Sequence, residues 1–190
     1  MEENVETYDN IPTAQLEMKM ATFDRVSNDK VTAVIVELTY KWIKAPFFTL
    51  TDAMTFNWDG TLFALGGFYA ESGYDTRDVA NRYQWRQTDY VDRPAKGAEG
   101  GIGWYLKTGL GAVGSTVTVD SNNRGAASIY LVPKNTIYTS TSLKSTMFFN
   151  YAHQIVGANI SLGLSQDGPS AGVDFAGGKY DEASTYIIYH

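Results

Sequence analysis

The sequence predicts an all-β protein, and most simply a single-domain antiparallel β-sandwich. Apolar and polar residues alternate in short runs along most of the 190-residue chain. Glycine, proline, asparagine and aspartate separate these runs, and no segment shows a convincing helical period. Because strands do not alternate with helices, a parallel α/β fold is disfavoured. A closed β-barrel is the alternative, since alternation alone does not distinguish it from a sandwich.

The first predicted strands follow a short leader. Residues 1–14 are acidic and polar, and we expect them to form a flexible leader before a single domain over residues 15–190. Apolar residues at 16, 18 and 20 indicate the first strand, and Asn28-Asp29 supplies a turn. The clearest strand has one apolar face, made of Val34, Val36, Leu38, Tyr40 and Trp42, and one polar face, made of Glu37, Thr39 and Lys41.

Two hairpins are predicted from turn residues between alternating runs. Asp59-Gly60 follows a run that ends at Trp58, and Asp-Gly is a strong hairpin signal because type I′ turns require positive φ. The segment 121–125 (Ser-Asn-Asn-Arg-Gly) lies between apolar alternation at 117–119 and at 127–131, and it predicts the second hairpin.

The middle of the chain is predicted to contain one strand between two long loops. Residues 71–81 and 92–101 are polar or rich in glycine and proline, and they predict loops on either side of a strand over 82–91. Further strands are expected at 102–107, 147–156, 158–164 and 186–189.

Composition excludes several classes of function. There are 15 basic and 21 acidic residues without a basic cluster, so nucleic-acid binding is disfavoured. No apolar run is long enough to span a bilayer, so no transmembrane segment is expected. The chain has no cysteine, which favours a bacterial source if the protein is exported. We expect a secreted or cell-surface protein whose signal peptide has been removed, with the cytoplasm as the alternative.

Few residues suit catalysis, and none is assigned a catalytic role. His153 is the one interior histidine; it alternates in phase with Met147 and Phe149, which indicates a half-buried histidine bonded to backbone or to a hydroxyl. With one such histidine and no cysteine, a zinc site is disfavoured. A glycan-directed hydrolase would need two carboxylates, but no pair stands out among the candidates Glu37, Asp59, Glu71, Asp89 and Asp120, and Glu37 has the pattern of a solvated position.

Aromatic residues are the most distinctive chemical feature of the chain, with 13 Tyr, 9 Phe and 4 Trp. Trp42, Trp58 and Trp104 alternate with aliphatic residues and are expected in the core, whereas polar neighbours flank Trp85, Tyr90 and Tyr105. Exposed rings bind the apolar faces of sugars. The sequence therefore favours an exported binding protein that recognises a cell-surface or cell-wall glycan through these three residues, near the loops within 71–105.

Calcium is the one cofactor that the sequence leaves open. Asp75, Asp78, Asp89 and Asp92 bracket the strand predicted at 82–91, and loop carboxylates suit this ion, although solvated loop charge is the simpler interpretation. A membrane-active pore former is a further alternative, because residues 116–119 and 159–165 alternate small polar and apolar side chains. Exposed strand edges would also permit an oligomer.

Two segments of the sequence, together with the absence of cysteine, support the expectation of export. The segment 45–52 (Ala-Pro-Phe-Phe-Thr-Leu-Thr-Asp) precedes Trp58-Asp59-Gly60, and a glycine-rich tail ends in Tyr180–Tyr189. Together with the absence of cysteine, these features resemble small secreted all-β proteins of Gram-positive bacteria and their phages, which mostly have no assigned activity. The resemblance implies export and carries no functional residue.

Overall fold

The protein is an antiparallel β-sandwich. The computed structural model describes residues 11, 15–44, 51–77, 83–90, 96–107, 120–139, 141–156, 159–162, 173–176 and 179–189. In this part of the chain the secondary structure consists of strands, without an α-helix. The strands are β1 (Leu16–Ser27), β2 (Lys30–Trp42), β3 (Thr51–Asn57), β4 (Phe63–Arg77), β5 (Tyr83–Tyr90), β6 (Lys96–Ala98), β7 (Gly101–Lys107), β8 (Asp120–Pro133), β9 (Ser145–Val156), β10 (Asn159–Leu162), β11 (Val173–Ala176) and β12 (Lys179–Tyr189).

Two five-stranded sheets form the sandwich. The first sheet has the strand order β1-β2-β8-β4-β5, and the second has the order β12-β9-β3-β7-β6. All strand pairs within them are antiparallel. Each sheet is open at both edges among the described strands, so the sandwich is confirmed and a closed barrel is not formed.

The predicted alternation of β2 places its apolar side chains between the two sheets. Val34, Val36 and Leu38 are fully buried, and Tyr40 and Trp42 are nearly so. They form one cluster with side chains of the second sheet, among them Met54, Phe56, Ile102, Trp104, Phe149 and Tyr151. The prediction that the tryptophans at 42, 58 and 104 belong to the core is confirmed, since all three are buried.

Strand β3 is buried on both of its faces. Met54 and Phe56 face the core between the sheets, and the alternating residues Ala53, Thr55 and Asn57 are also buried. The two-stranded β10–β11 unit lies against β3. A small third layer therefore covers the outer side of the second sheet at this strand.

The predicted Asp59-Gly60 hairpin is wrong. Strands β3 and β4, on either side of it, belong to different sheets, so this segment is a corner that carries the chain across the sandwich. The amides of Leu62 and Phe63 donate to the carbonyl of Asp59, and the Asp59 carboxylate accepts bonds from the amide and hydroxyl of Thr61. The aspartate thus closes a turn by its own side chain, as it commonly does outside hairpins.

The predicted turn at 121–125 is also wrong, because these residues lie inside β8. Arg124 and Gly125 pair with β2 on one side and with β4 on the other. Backbone hydrogen bonds to two neighbours hold these residues in a strand although asparagine and glycine disfavour that conformation. The loop predicted at 71–81 is likewise replaced by strand over its first part, because β4 continues to Arg77.

The turn at Asn28-Asp29 is confirmed, and it is the two-residue link of the β1–β2 hairpin. Asn28 and Asp29 have φ values of 50° and 60°, and Ser27 pairs with Lys30 across the turn.

Within the predicted leader, Ile11 is buried against the core, and its amide donates to the carbonyl of Glu182. Among the described residues, no helix is long and apolar enough to cross a membrane.

Candidate functional site

The outer face of the first sheet carries a groove of about 310 Å³. It is lined by side chains of β1, β2 and β4 and by part of β8, and we call it the outer groove. Its lining residues are Glu17, Lys19, Thr39, Tyr40, Lys41, Glu71, Arg124, Gly125 and Ala126.

Strand register explains why these residues meet. Directly paired residues of antiparallel strands point to the same face of a sheet. One row crosses the sheet through Lys19, Thr39, Ala126 and Glu71, and the paired backbone position on β5 is Tyr90. The neighbouring row crosses it through Glu17, Lys41 and Arg124. The small side chains of Thr39 and Ala126 in the centre leave a depression between charged groups.

The charges of the outer groove are of both signs. The Lys19 ammonium lies 2.5 Å from the Glu17 carboxylate. This hydrogen bond and the positive charge of Lys19, with a smaller effect of Lys41, hold the pKa of Glu17 below its usual value. Because both side chains are largely exposed, the pair adds little stability and remains available to a ligand.

An exposed tyrosine lies beside the outer groove. The Tyr69 side chain is 49% exposed, and its hydroxyl donates to the Glu71 carboxylate at 2.8 Å. The two residues are two positions apart on β4 and share a face, a separation of about 7 Å. The hydroxyl spans this separation only if the ring leans along the strand, so the tyrosine covers the sheet beside the groove.

Beneath the outer groove lies a buried polar network that begins at Asp52. This carboxylate is inaccessible to solvent, and it accepts a hydrogen bond from the Tyr151 hydroxyl. The Nδ1 atom of His153 lies 2.7 Å from its other oxygen. The Trp42 Nε1 group donates to the Tyr151 hydroxyl at 3.0 Å. Tyr151 and His153 lie two residues apart on β9, so both point from the same face toward Asp52 on β3.

Aromatic rings pack around this network on the core side of the first sheet. The rings of Tyr40 and Tyr151 have centroids 4.8 Å apart, and Tyr40 is buried on the core face of β2. The Trp42 ring packs edge-on against His153 at 5.3 Å. Burial, followed by the negative charge of Asp52, raises the pKa of Tyr40 and of Tyr151 well above the usual value, so both hydroxyls stay protonated.

The structure separates the three aromatic residues that the sequence predicts to bind a ligand. Trp85 and Tyr90 lie on β5, where their backbones pair with Asp75 and Glu71, and their side chains are outside the described part of the protein. Tyr105 lies on β7 in the second sheet, is 39% exposed, and faces away from the core that holds Trp104. Tyr90 is therefore the one of the three that falls in a groove row.

The predicted calcium ligands are not gathered in a loop among the described residues. Asp75 lies in β4 and Asp89 in β5, paired with Trp85 and Ser72 respectively. Asp78 and Asp92 lie outside the described residues. Within the described residues, no three acidic or histidine side chains form a group suited to a metal ion.

The structure corrects the expected environments of His153 and Glu37. His153 is buried, not half-buried, and its partner is a carboxylate instead of backbone or a hydroxyl. Glu37 is half-buried, and it accepts a bond from Ser128 at 2.8 Å across the sheet. Sequence reasoning missed Asp52, Tyr151 and Tyr69 as site residues. Asp52 is the second residue of β3, and nothing in the neighbouring sequence marks it as buried.

Comparisons with known proteins give no family. No protein-family model matches the sequence, and no curated protein matches it significantly. Among solved structures, the chain is similar to AvmM, which catalyses macrocyclization in alchivemycin A biosynthesis. The identity is 15% and the TM-score 0.31, over 92% of this chain and 89% of that chain. Similarity of this degree does not transfer a function.

Proposed function

We propose that the protein is an exported binding protein that holds a polar ligand, such as a cell-surface or cell-wall glycan, in the outer groove. Sugar sites combine an aromatic ring, which covers the C–H face of a pyranose, with charged groups that exchange hydrogen bonds with its hydroxyls. The outer groove offers both within one sheet face.

The observation that supports this proposal most strongly is the contact between Tyr69 and Glu71. The hydrogen bond from the Tyr69 hydroxyl to Glu71 fixes the ring beside the groove while half of the side chain stays exposed. An aromatic ring that is already ordered loses little conformational freedom when a ligand binds. Tyr69 thus has the properties of a preorganised platform.

The remaining groove residues suit an uncharged polyhydroxylated ligand better than an ion. Glu17 and Glu71 offer acceptors, and Lys19, Lys41 and Arg124 offer donors, so neither sign of charge dominates. The backbone position of Tyr90, paired with Glu71, extends the row toward the sheet edge. Tyr90 therefore remains in the proposed site, whereas Trp85 is not tied to the groove and Tyr105 is placed on the other sheet.

Hydrolysis of a glycan in the outer groove is less well supported than binding. The groove carboxylates Glu17 and Glu71 lie on β1 and β4, with β2 and β8 between them. Three strand spacings put their backbones about 14 Å apart. Glycosidases hold their two carboxyl groups within about 5–10 Å of each other.

The proposal is tested by isothermal titration calorimetry with soluble cell-wall polysaccharide fragments, with and without calcium. We expect saturable binding that Tyr69→Ala weakens by about tenfold or more, since a platform ring contributes at least about 1.4 kcal/mol. Tyr105→Ala removes another exposed tyrosine, 39% against 49% for Tyr69, from the other sheet and is the matched control, with unchanged affinity. Equal affinities of wild type and Tyr69→Ala, or no glycan binding at all, would reject the proposal.

A further inference from the structure

The buried pair Asp52–His153 requires an explanation beyond packing. A carboxylate removed from water costs several kcal/mol unless partners compensate it, and apolar residues of similar size often give equal or greater stability. Here the first sheet contributes Trp42 and the second sheet contributes Asp52, Tyr151 and His153 to a single connected set of contacts. Tyr151 and His153 contact the buried carboxylate directly, and Trp42 donates to the Tyr151 hydroxyl.

The arrangement fixes which nitrogen of His153 carries a proton. An ionised carboxylate only accepts hydrogen bonds, so the Nδ1 atom at 2.7 Å must donate to Asp52. The lone pair of a neutral imidazole then lies on Nε2. This is the geometry in which a carboxylate orients a histidine and stabilises the imidazolium that forms when Nε2 takes up a proton.

We propose that His153 is a general base positioned by Asp52, and that the pair catalyses proton transfer from carbon in small uncharged molecules. The substrate class is an organic molecule with a C–H bond made acidic by a neighbouring carbonyl or similar electron-withdrawing group. The activity is separate from ligand binding in the outer groove, and neither proposal depends on the other.

The neighbours of the pair favour proton transfer over covalent catalysis. The Tyr151 hydroxyl donates to Asp52, and burial keeps it protonated, so it does not act as a nucleophile. The Trp42 indole donates to Tyr151 and is not nucleophilic at nitrogen. The chain also has no cysteine. The carboxylate of Asp52 disfavours an anionic substrate beside the pair, which favours an uncharged one.

The proposed step is balanced within the substrate and the pair. The Nε2 lone pair takes the proton, the C–H bond breaks, and its electron pair forms a C=C bond as the carbonyl π electrons move to oxygen. The imidazolium is stabilised by Asp52 and returns the proton to carbon at the same or a different position. Neither an oxidant nor a reductant is consumed.

Solvent access differs between the two members of the pair. The side chain of His153 keeps 5% of its surface accessible, whereas that of Asp52 has none. A molecule that approaches the pair therefore meets the imidazole and not the carboxylate. On β12, the edge strand of this sheet, half-buried Asp181 is the residue that pairs with His153. The histidine thus lies one strand from the sheet edge.

Access to Nε2 is tested with diethyl pyrocarbonate, which carbethoxylates unprotonated imidazole. The chain has two histidines, and His190→Ala leaves His153 as the single target. We expect the folded His190→Ala protein to gain a carbethoxyl group on histidine, located at His153 by mass spectrometry of its peptides, and the double variant with His153→Gln to carry none at this position. Modification of His153 only after denaturation would overturn the proposal.

Catalysis is tested with 5-nitrobenzisoxazole, a small uncharged aromatic carbon acid. Removal of its C–H proton forms a nitrile, breaks the N–O bond and releases a coloured phenolate. We expect His153→Gln to lower the protein-catalysed rate by about 100-fold or more. Asp52→Asn should lower kcat more than it raises KM, because Asp52 acts through His153.

The controls separate this activity from other roles. Ile137→Ala changes an exposed residue outside both sites and should leave the rate unchanged, so a loss there would contradict the proposal. If His153→Gln or Asp52→Asn does not fold, as judged by circular dichroism, Tyr151→Phe is the second variant; it removes one donor to Asp52 and should alter kcat. Equal rates of folded wild type and His153→Gln would reject a general base at this position.

Discussion

Gly125 on β8 and Tyr40 on β2 are directly paired, and the Tyr40 ring occupies the space in which a side chain at position 125 would lie. A Cβ atom added there would be 2.5 Å from Cε1 of Tyr40 and 2.7 Å from the carbonyl oxygen of Glu71. The glycine thereby allows the ring to pack against Tyr151 in the core.

Gly125→Ala should therefore destabilise the protein by about 1–3 kcal/mol, because the ring and the β4 backbone must both move. Gly67 is the matched control on β4, since a Cβ atom there meets no atom within 4 Å. Gly67→Ala should change stability by no more than about 0.5 kcal/mol. Chemical denaturation measures both free energies. Equal effects of the two substitutions would contradict the packing that the structure shows.

Asp29→Gly should stabilise the β1–β2 hairpin. Asp29 has a φ of 60°, a conformation that glycine adopts without strain, and Asn-Gly is a preferred dipeptide for two-residue hairpins. We expect the free energy of unfolding to rise by up to about 1 kcal/mol. Asp29→Val places a β-branched residue at the same φ and should lower it by about 1–2 kcal/mol. Thermal unfolding of the three proteins gives the order, and a less stable Asp29→Gly protein would contradict this expectation.

Stability should fall steeply above about pH 10, the ordinary pKa of tyrosine. Burial raises the pKa of Tyr40, Tyr151 and Tyr189 in the folded protein, and Asp52 adds to this for the first two. Above that pH the unfolded chain loses protons that the folded protein keeps, so the stability present at lower pH is lost as pH rises.

Denaturant titrations between pH 8 and pH 11 measure this loss. In Tyr40→Phe, the decline of the free energy of unfolding above about pH 10 should be shallower by up to about 1.4 kcal/mol per pH unit, since one ionising group is removed. A Tyr40→Phe slope equal to that of wild type would show that Tyr40 ionises in the folded protein.

The sequence predicts the strands better than it predicts their partners. The strand from Val34 to Trp42 can be predicted because its apolar residues all face the core. This alternation is present in the sequence whichever strands pair with it. The Asp59-Gly60 dipeptide is a local signal and says nothing about distant strands. In the structure β3 pairs with β7 and β9, and β4 pairs with β8, so β3 and β4 do not pair with each other. For the same reason, residues 121–125 are held in a strand by two neighbours despite their turn-forming side chains.

The candidate sites were harder to predict for a related reason. Asp52 and His153 are 101 positions apart, and no spacing or motif relates them before the sheets are assembled. Tyr69 and Glu71 are close in sequence, but their role depends on the small side chains of neighbouring strands that open the outer groove. The prediction of Tyr90 used its polar flanks, and register places its backbone beside Glu71.

The interleaving of strands between the two sheets has a consequence for synthesis of the protein. All five strands of the first sheet have been made once the ribosome has passed Pro133, but β9 and β12 of the second sheet are still to come. Until then β3 lacks one of its two neighbours, and the apolar face of β2 has only part of its cover. Pairing between such distant segments is slow. A nascent chain of this length is therefore the form in which the protein is most exposed to aggregation and to chaperones.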